Sequence, residues 1–166
     1  METAADKRIK LLIVDDEEAF LDAIARRLEM RGFVVSKAIN GKTALEVATK
    51  EQFDIALVDL KMPGMNGQEL LEVLKRYHKF IEVIILTGHG SLDSAVECTK
   101  LGAFGYLPKP YEIDKLLDTL RRAYEKRMRK KFEADQDRMD AIMQAAIGES
   151  PLGILRRLRE LDDDAK

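Results

Sequence analysis

Five polar side chains whose chemical types suit one another stand after short apolar runs of this sequence. They are Asp15, Asp16, Asp59, Thr87 and Lys109. Three carboxylates brought close together repel one another and resist joint ionisation, unless a hard cation with oxygen ligands, such as Mg2+, lies between them. A carboxylate held in this way can attack phosphorus when positive groups neutralise the charge on the phosphoryl oxygens. The set therefore predicts a phospho-aspartate site.

The other members of this set suit the same chemistry. Lys109 can neutralise phosphoryl charge, the Thr87 hydroxyl can donate to a phosphoryl oxygen, and Gly88 leaves room for the group. Taken alone, however, each residue has a simpler explanation: an Asp pair before acidic residues is often a helix N-cap, and an Asp before Pro63 and Gly64 is often a turn residue. Because all five fall after predicted strands, a joint site is the better explanation.

The apolar runs are predicted strands, and segments of helical spacing separate them. The runs cover residues 10–14, 33–38, 54–58, 82–86 and 104–107. Three of them are nearly continuous in Ile, Leu and Val, which is typical of strands that are covered on both faces in a parallel sheet. Alternating strands and helices joined by right-handed crossovers predict a doubly wound, three-layer α/β domain. In such a domain functional residues lie at the carboxyl ends of the strands.

Local signals mark several helix ends. Asn66 with Glu69 three residues later has the form of a capped helix start, and Ser91 precedes another helical segment. That second helix should end near Gly102, because glycine best tolerates a left-handed closing conformation.

The composition is that of an ordinary globular protein, with 46% hydrophobic and 35% charged residues and a net charge of -2. This charge balance does not indicate a strong affinity for nucleic acid or acidic lipid. The single cysteine, Cys98, excludes an internal disulfide and a thiolate metal site, and we interpret it as a buried thiol. No run has the length of a membrane span or the form of a signal peptide. We therefore expect a cytoplasmic protein.

Four blocks of the sequence resemble motifs of response-regulator receiver domains in two-component signalling, including receivers of the nitrogen-regulation type. The blocks are IVDDEEAF, LVDLKMPGMNGQELL, IILTGHGSLDSAV and GAFGYLPKPYEIDKLL, and the resemblance covers roughly residues 8–124. It implies a flavodoxin-like (βα)5 domain with the strand order 2-1-3-4-5. We accordingly divide the chain into an N-terminal tail (residues 1–8), a receiver domain (9–124) and a helical C-terminal extension (125–166).

The resemblance also implies a chemical function. Asp59 would accept a phosphoryl group from a histidine kinase or phosphotransfer protein, with Mg2+ or Mn2+ as the cofactor. Asp16, Asp59 and the backbone carbonyl of Lys61 would bind the metal, and Asp15 would act mainly through a bound water. Lys61 and His89 stand at positions that the family uses to tune the lifetime of the phosphate.

Two further features follow from the same resemblance. Tyr106 would turn inward when phosphorylation draws Thr87 toward the phosphate, and would thus act as a switch. The bond between Lys109 and Pro110 would be cis. The chain would not be an enzyme in the usual sense, since it would catalyse only its own phosphorylation and slow dephosphorylation.

Three rival functions deserve comparison. A degenerate receiver would bind partners without phosphorylation, but such modules usually lack a key residue and this sequence lacks none. A phosphatase of the haloacid dehalogenase type would use Asp15 as its nucleophile, but that family separates its two aspartates by one residue, whereas Asp15 and Asp16 are adjacent. Residues 40–43, Asn-Gly-Lys-Thr, imitate the end of a P-loop, but Ser36 replaces its first glycine.

The C-terminal extension continues the last helix of the domain in its apolar spacing, although Asp135 interrupts the stripe. We predict one long helix that reaches roughly Ile147 and ends at Gly148, followed by a short helix that Ser150 caps and Pro151 begins. The apolar residues of this second helix are Leu152, Ile154, Leu155 and Leu158. The sequence leaves open whether they fold back on the domain, pair in a homodimer or bind another protein.

The basic stretch of residues 126–131 is predicted to be a solvated helix face, because acidic residues surround it. The extension is too short for a helix-turn-helix domain of ordinary size together with the long helix. We therefore expect a stand-alone regulator that acts on an unidentified output protein, with neither nucleic acid nor membrane as its partner.

Overall fold

In the computed structural model, which describes residues 8–88, 92–133 and 136–164, five parallel strands form one sheet. Their order is β2-β1-β3-β4-β5, which confirms the order that the resemblance implied. The predicted runs agree with the observed strands to within about a residue at either end. The strands are β1 (Lys10–Val14), β2 (Val34–Ala38), β3 (Ile55–Val58), β4 (Glu82–Thr87) and β5 (Gly105–Pro108).

Helices connect the strands and continue beyond the last of them. Asn66 caps the third helix by accepting a hydrogen bond from the amide of Glu69 at 2.9 Å, as predicted. Gly102 has the left-handed φ of 100° expected just after the fourth helix, while Ser91 lies outside the described residues. None of the described helices is both long enough and apolar enough to cross a membrane. The helices are α1 (Glu18–Glu29), α2 (Gly41–Lys50), α3 (Gly67–Tyr77), α4 (Leu92–Lys100), α5 (Ile113–Lys131), α6 (Gln136–Ala145) and α7 (Pro151–Asp164).

The two faces of the sheet pack against different helices, because successive side chains of a strand point in opposite directions. In β1, Leu11 and Ile13 belong to one core cluster and Leu12 and Val14 to the other. The first cluster includes residues of α1 and α5, and the second includes residues of α2 and α3. Cys98 of α4 is buried in the second cluster, as expected. The three-layer prediction is therefore confirmed.

The prediction of one long helix to Ile147 is wrong. α5 ends at Lys131, and its C-cap residue Phe132 leaves the helical region with φ -123° and ψ 40°. Gly148, whose φ of 92° favours glycine, separates α6 from α7. These breaks let the chain reverse so that α7 packs against α5. The reversal buries an apolar side of α7, which a continuous helix followed by a free segment would leave in water.

The apolar residues of α7 pack against their own domain, which is one of the three arrangements that the sequence left open. Leu155 and Leu158 are buried in the same core cluster as α1 and α5. The hydroxyl of Ser150 accepts a hydrogen bond from the amide of Gly153 at 3.2 Å, which confirms the predicted cap. Burial of each leucine stabilises the docked helix by about 1.5–3 kcal/mol. A homodimer through the last helices stays a prediction.

The basic stretch at the end of α5 takes part in ion pairs, so the expectation of a solvated face is wrong for Arg127 and Lys131. Arg127 lies 3.1 Å from Asp54 and 2.7 Å from Asp162, and Lys131 also pairs with Asp162. The Tyr124 hydroxyl donates to Asp162 at 3.0 Å. We call these five residues the amino-end cluster, because Asp54 directly precedes β3.

Candidate functional site

The carboxyl ends of β1 and β3 bring the predicted acids together at one edge of the sheet. Val14 and Val58 are register partners, so Asp15 and Asp59, the next residues along each chain segment, are neighbours. One ligand oxygen from each of Asp15, Asp16 and Asp59 lies within 4.8 Å of the others. Asp15 and Asp59 are buried, whereas Asp16 is exposed. The convergence of three acids is therefore present in the structure.

Lys109 points into the same site. Its Nζ lies 2.5 Å from Oδ2 of Asp15, and its backbone N–H donates to the carbonyl of Thr87 at 2.9 Å. Thr87 is buried at the end of β4, where it is the register partner of Pro108. The Lys109–Pro110 peptide bond is cis, as the resemblance implied. Asp15 is thus the carboxylate to which the lysine is paired. With Lys109, the three acids form what we call the carboxyl-end cluster.

Asp59 carries charge that its surroundings do not fully balance. Burial is the main cause that raises its pKa from 3.8 to about 6. Lys109 opposes this shift, while the negative charges of Asp15 and Asp16 add to it. A carboxylate whose ionised form is disfavoured in this way gains from an added positive charge. The electrostatics of the site therefore favour the binding of a cation.

The donor set fits a hard divalent cation, because carboxylate oxygens are the ligands that Mg2+ prefers. Asp15 is held in place by its Oδ1, which accepts a hydrogen bond from the amide of Glu17 at 2.9 Å. Among the described residues, Lys109 forms an ion pair with Asp15 but not with Asp16 or Asp59. Lys61 lies two residues after Asp59 in the loop before α3, and its side chain is exposed. The role of its carbonyl as a ligand stays a prediction.

Sequence reasoning missed Gly67, the first residue of α3. A Cβ atom there would lie 2.5 Å from the carbonyl oxygen of Asp59 and 2.8 Å from the Cα of Leu60, so only glycine fits. The Gly67 amide donates to the carbonyl of Leu60 at 2.9 Å. This contact fixes the backbone that carries Asp59. The sequence signal is a glycine directly after the cap Asn66, but the closeness to Asp59 is a tertiary feature that no local pattern contains.

Tyr106 lies in β5, where it is partly buried against the core cluster that contains Cys98. Burial raises the pKa of its hydroxyl, and the neighbouring Cys98 and Asp59 add to this shift. Its ring packs against the same core cluster as Val58, the residue before Asp59, and the switch role stays a prediction. His89 lies outside the described residues, so its role in tuning phosphate lifetime is also a prediction.

Comparison with known proteins agrees with this geometry. A family model described as "Response regulator receiver domain" matches residues 11–121. The chain belongs to this receiver family. Receivers are the response-regulator modules of two-component systems, they bind Mg2+ at an acidic pocket, and they interact with histidine kinases or phosphotransfer proteins.

Two relatives show how far the receiver similarity extends. The sporulation initiation phosphotransferase F of Bacillus subtilis is 38% identical over 113 residues, which are 68% of this chain and 91% of that protein. The DNA-binding transcriptional regulator NtrC of Escherichia coli is 39% identical over 111 residues, which are 67% of this chain and 24% of that protein. The chain thus spans nearly all of the first relative and about a quarter of the second.

Solved receiver structures are similar to this fold. A response regulator receiver domain from Clostridium thermocellum has a TM-score of 0.68 at 37% identity, over 74% of this chain and 97% of that one. A response regulator from Burkholderia pseudomallei, solved with a phosphorylated aspartic acid, a calcium ion and citrate, has a TM-score of 0.66 at 27% identity. That match covers 93% of this chain and 96% of the other.

Proposed function

We propose that Asp59 is a phosphoacceptor, which takes a phosphoryl group from a histidine kinase or phosphotransfer protein in a cytoplasmic phosphorelay. A bound Mg2+ or Mn2+ would supply charge neutralisation for the phosphoryl oxygens. The chain then acts by changing a protein-binding surface, and catalyses only its own phosphorylation and slow dephosphorylation. The observation that carries this proposal is the gathering of Asp59, Asp15 and Asp16 within 4.8 Å, with the ammonium of Lys109 in contact with Asp15.

The proposed transfer needs one nucleophile and several charge-neutralising groups. One Oδ atom of Asp59 attacks the phosphorus of a phosphohistidine, so that a P–O bond forms and the P–N bond breaks. The displaced imidazole nitrogen keeps the electron pair and takes up a proton. We expect Lys109 to exchange its contact with Asp15 for one with a phosphoryl oxygen, and the Thr87 hydroxyl to donate to another. Gly88 adds no side chain that would occupy the space of the phosphoryl group.

Two relatives support this assignment. One carries the name phosphotransferase, and it is similar to nearly the whole receiver part of this chain. The other was solved with a phosphorylated aspartic acid and a calcium ion, and we propose that Asp59 likewise combines an acyl phosphate with a hard divalent cation. The similarity covers 91% of the first of these proteins and 96% of the second, so it includes nearly the whole of each.

The proposal is tested by incubating the protein with acetyl phosphate and Mg2+ and then measuring its intact mass. The wild type should gain one phosphoryl group, and Asp59→Ala should gain none. Asp22→Ala is a matched control, because it removes an acid whose partner, Lys37, lies with it on the exposed surface. A wild type that gains no phosphoryl group would favour a phosphorylation-independent binding module. Turnover of unrelated phosphoesters would indicate a phosphatase.

We also propose that phosphorylation is transmitted through Thr87 and Tyr106. The added charge and acceptor oxygens draw the Thr87 hydroxyl toward the phosphate, and Tyr106 follows into the space that Thr87 leaves. By linkage, a partner that prefers the phosphorylated surface also promotes phosphorylation. Amide NMR spectra should change along β5 and α5 on phosphorylation of the wild type. In Thr87→Ala the changes should remain near Asp59, and equal changes in both proteins would contradict the switch.

Lys61 and His89 complete the proposal as residues that tune how quickly water removes the phosphate. Lys61 is exposed and stands two residues after Asp59, so we expect its side chain to affect the approach of water to the phosphate. The double variant Lys61→Ala with His89→Ala should therefore change the dephosphorylation rate. An unchanged rate would dispose of this role.

A further inference from the structure

The ammonium of Lys109 touches an aromatic ring as well as a carboxylate. It lies 3.9 Å from the ring centroid of Phe20, which stands in the first turns of α1. The Lys109 side chain is only 15% exposed, so little of it is in contact with water. An ammonium over an aromatic face is attracted by the ring, and more strongly when water is excluded. Phe20 is therefore a second partner of Lys109, which neither composition nor helical spacing indicates.

The ring of Phe20 is itself held in orientation. Tyr111 meets it edge to face, with ring centroids 6.3 Å apart and an interplanar angle of 88°. Such a perpendicular arrangement is favourable for two aromatic rings. The Tyr111 hydroxyl oxygen is buried and has no hydrogen-bond partner among the described residues. Tyr111 thus contributes to this site through its ring, which packs against that of Phe20.

An uncharged partner suits a cation that has to change its anionic partner. In the structure the Lys109 ammonium is paired with Asp15, and the proposed transfer requires it to contact a phosphoryl oxygen on Asp59. A carboxylate would compete with the phosphoryl group for the ammonium, whereas a ring attracts the ammonium without cancelling its charge. The flexible side chain of a lysine also loses less conformational entropy in the reaction if the neighbouring Phe20 ring already limits its rotamers.

We propose that Phe20 is a positioning residue for Lys109, and that its ring holds the ammonium while it passes from Asp15 to the phosphoryl group on Asp59. This inference rests on the proposed phosphoacceptor function. It assigns to α1 a part in the chemistry, although the acids Asp15 and Asp16 lie before this helix. Phe20→Leu keeps an apolar side chain against the core but removes the ring face, so it separates the two roles of the residue.

Phe104 provides a matched control. Like Phe20, it is partly buried against the first core cluster, and its ring also lies near cations, with Lys126 at 5.7 Å and Arg122 at 6.0 Å. It precedes β5, at the end of the sheet away from the site. Phe104→Leu therefore removes the same kind of ring from the same core without touching Lys109.

The experiment measures phosphorylation by acetyl phosphate over a range of its concentrations at saturating Mg2+. We expect Phe20→Leu to lower the maximal rate about tenfold, while the Mg2+ concentration for half-saturation changes less than about twofold. Phe20→Tyr, which retains a ring face, should recover the rate to within about twofold. Phe104→Leu should equal the wild type. The use of a small phosphodonor keeps effects on kinase docking out of the comparison.

A spectroscopic signature tests the contact independently of phosphorylation. The Phe20 ring should shift the NMR signals of the Lys109 ε-methylene protons upfield, and Phe20→Leu should abolish the shift while Phe20→Tyr retains it. If the wild type is not phosphorylated at all, the phosphoacceptor function fails. If it is phosphorylated, equal maximal rates for the wild type and Phe20→Leu overturn the positioning role. An equal loss of rate in Phe104→Leu would also overturn it.

Discussion

Buried acids occur at both ends of the sheet, but their charges are balanced in different ways. In the amino-end cluster, Asp162 is 1% exposed and receives Arg127, Lys131 and the Tyr124 hydroxyl. Burial favours its neutral form, but the hydrogen bonds and charges of Lys131 and Arg127 outweigh this effect, so its pKa lies below the usual value. In the carboxyl-end cluster, the pKa of Asp59 is raised to about 6.

The difference separates a structural cluster from a functional one. The amino-end cluster has its cations built in, and it attaches α7 to α5 and to the start of β3. The carboxyl-end cluster brings three acids together with Lys109 as the cation paired within it, and that cation is bound to Asp15. An acid that is left short of positive charge is destabilising by itself but is suited to bind a metal ion. Strongly perturbed acids of this kind are common at functional sites.

The largest effect should come from removing the central acid of the amino-end cluster. Asp162→Ala leaves Lys131 without its buried partner and Arg127 with Asp54 alone, and breaking a buried ion pair costs about 3–5 kcal/mol. We expect a loss of about 3 kcal/mol in the free energy of unfolding, measured by urea denaturation. Asp22→Ala is the control, and the loss of its exposed pair with Lys37 should leave the free energy of unfolding nearly unchanged. A loss in Asp162→Ala as small as in this control would contradict the structural role.

Neutralising Asp59 in the carboxyl-end cluster should have the opposite effect and raise the free energy of unfolding. Without divalent ions at neutral pH, Asp59→Asn should stabilise the protein by about 2 kcal/mol. At about 1.4 kcal/mol per pKa unit the full shift would correspond to about 3 kcal/mol, but water that reaches the site beside the exposed Asp16 screens part of the charge. The shift in question is from 3.8 to about 6. The measurement is the same urea denaturation, in the presence of a chelator. Destabilisation by Asp59→Asn under these conditions would show that the charge of Asp59 is balanced after all.

A smaller effect should appear in the pH dependence of the free energy of unfolding. Between the unfolded pKa of 3.8 and the folded pKa of about 6, Asp59 binds more protons in the folded protein, so its contribution makes stability fall as pH rises. The stability difference between Asp59→Asn and the wild type should therefore grow from pH 4 to pH 6 and then level off. Asp162 acts in the reverse direction, because its lowered pKa gives stability that is lost as pH falls below its unfolded value. A difference that does not vary with pH would refute the raised pKa.

Much of the carboxyl-end cluster could be predicted from the sequence, because two regularities determine it. Continuous apolar runs predict parallel strands, and parallel strands place the residues that follow them along one edge. Asp15, Asp59 and Lys109 come together for this reason, although they are far apart in the chain. What spacing could not reveal is the pairing inside the site, such as Lys109 with Asp15 and with the ring of Phe20.

The amino-end cluster could not be predicted in the same way. Its partners are long-range, since Asp162 reaches Arg127 across 35 positions, and no strand ends bring them together. The apolar spacing beyond Tyr124 is a local pattern and predicted one continuous helix, whereas the burial of Leu155 and Leu158 by the domain requires the chain to reverse. Tertiary packing overrode the local pattern there.

Thermal unfolding of the wild type and Asp59→Asn, with and without Mg2+, tests most directly whether the carboxyl-end cluster lacks positive charge that a divalent cation supplies. Without Mg2+ we expect Asp59→Asn to unfold at the higher temperature. Mg2+ at about a hundredfold excess over its Kd should stabilise the wild type by roughly 3 kcal/mol and the variant much less. The difference between the two unfolding temperatures should then disappear or change sign. Equal stabilisation of both proteins by Mg2+, or a variant that is less stable without it, would contradict this explanation.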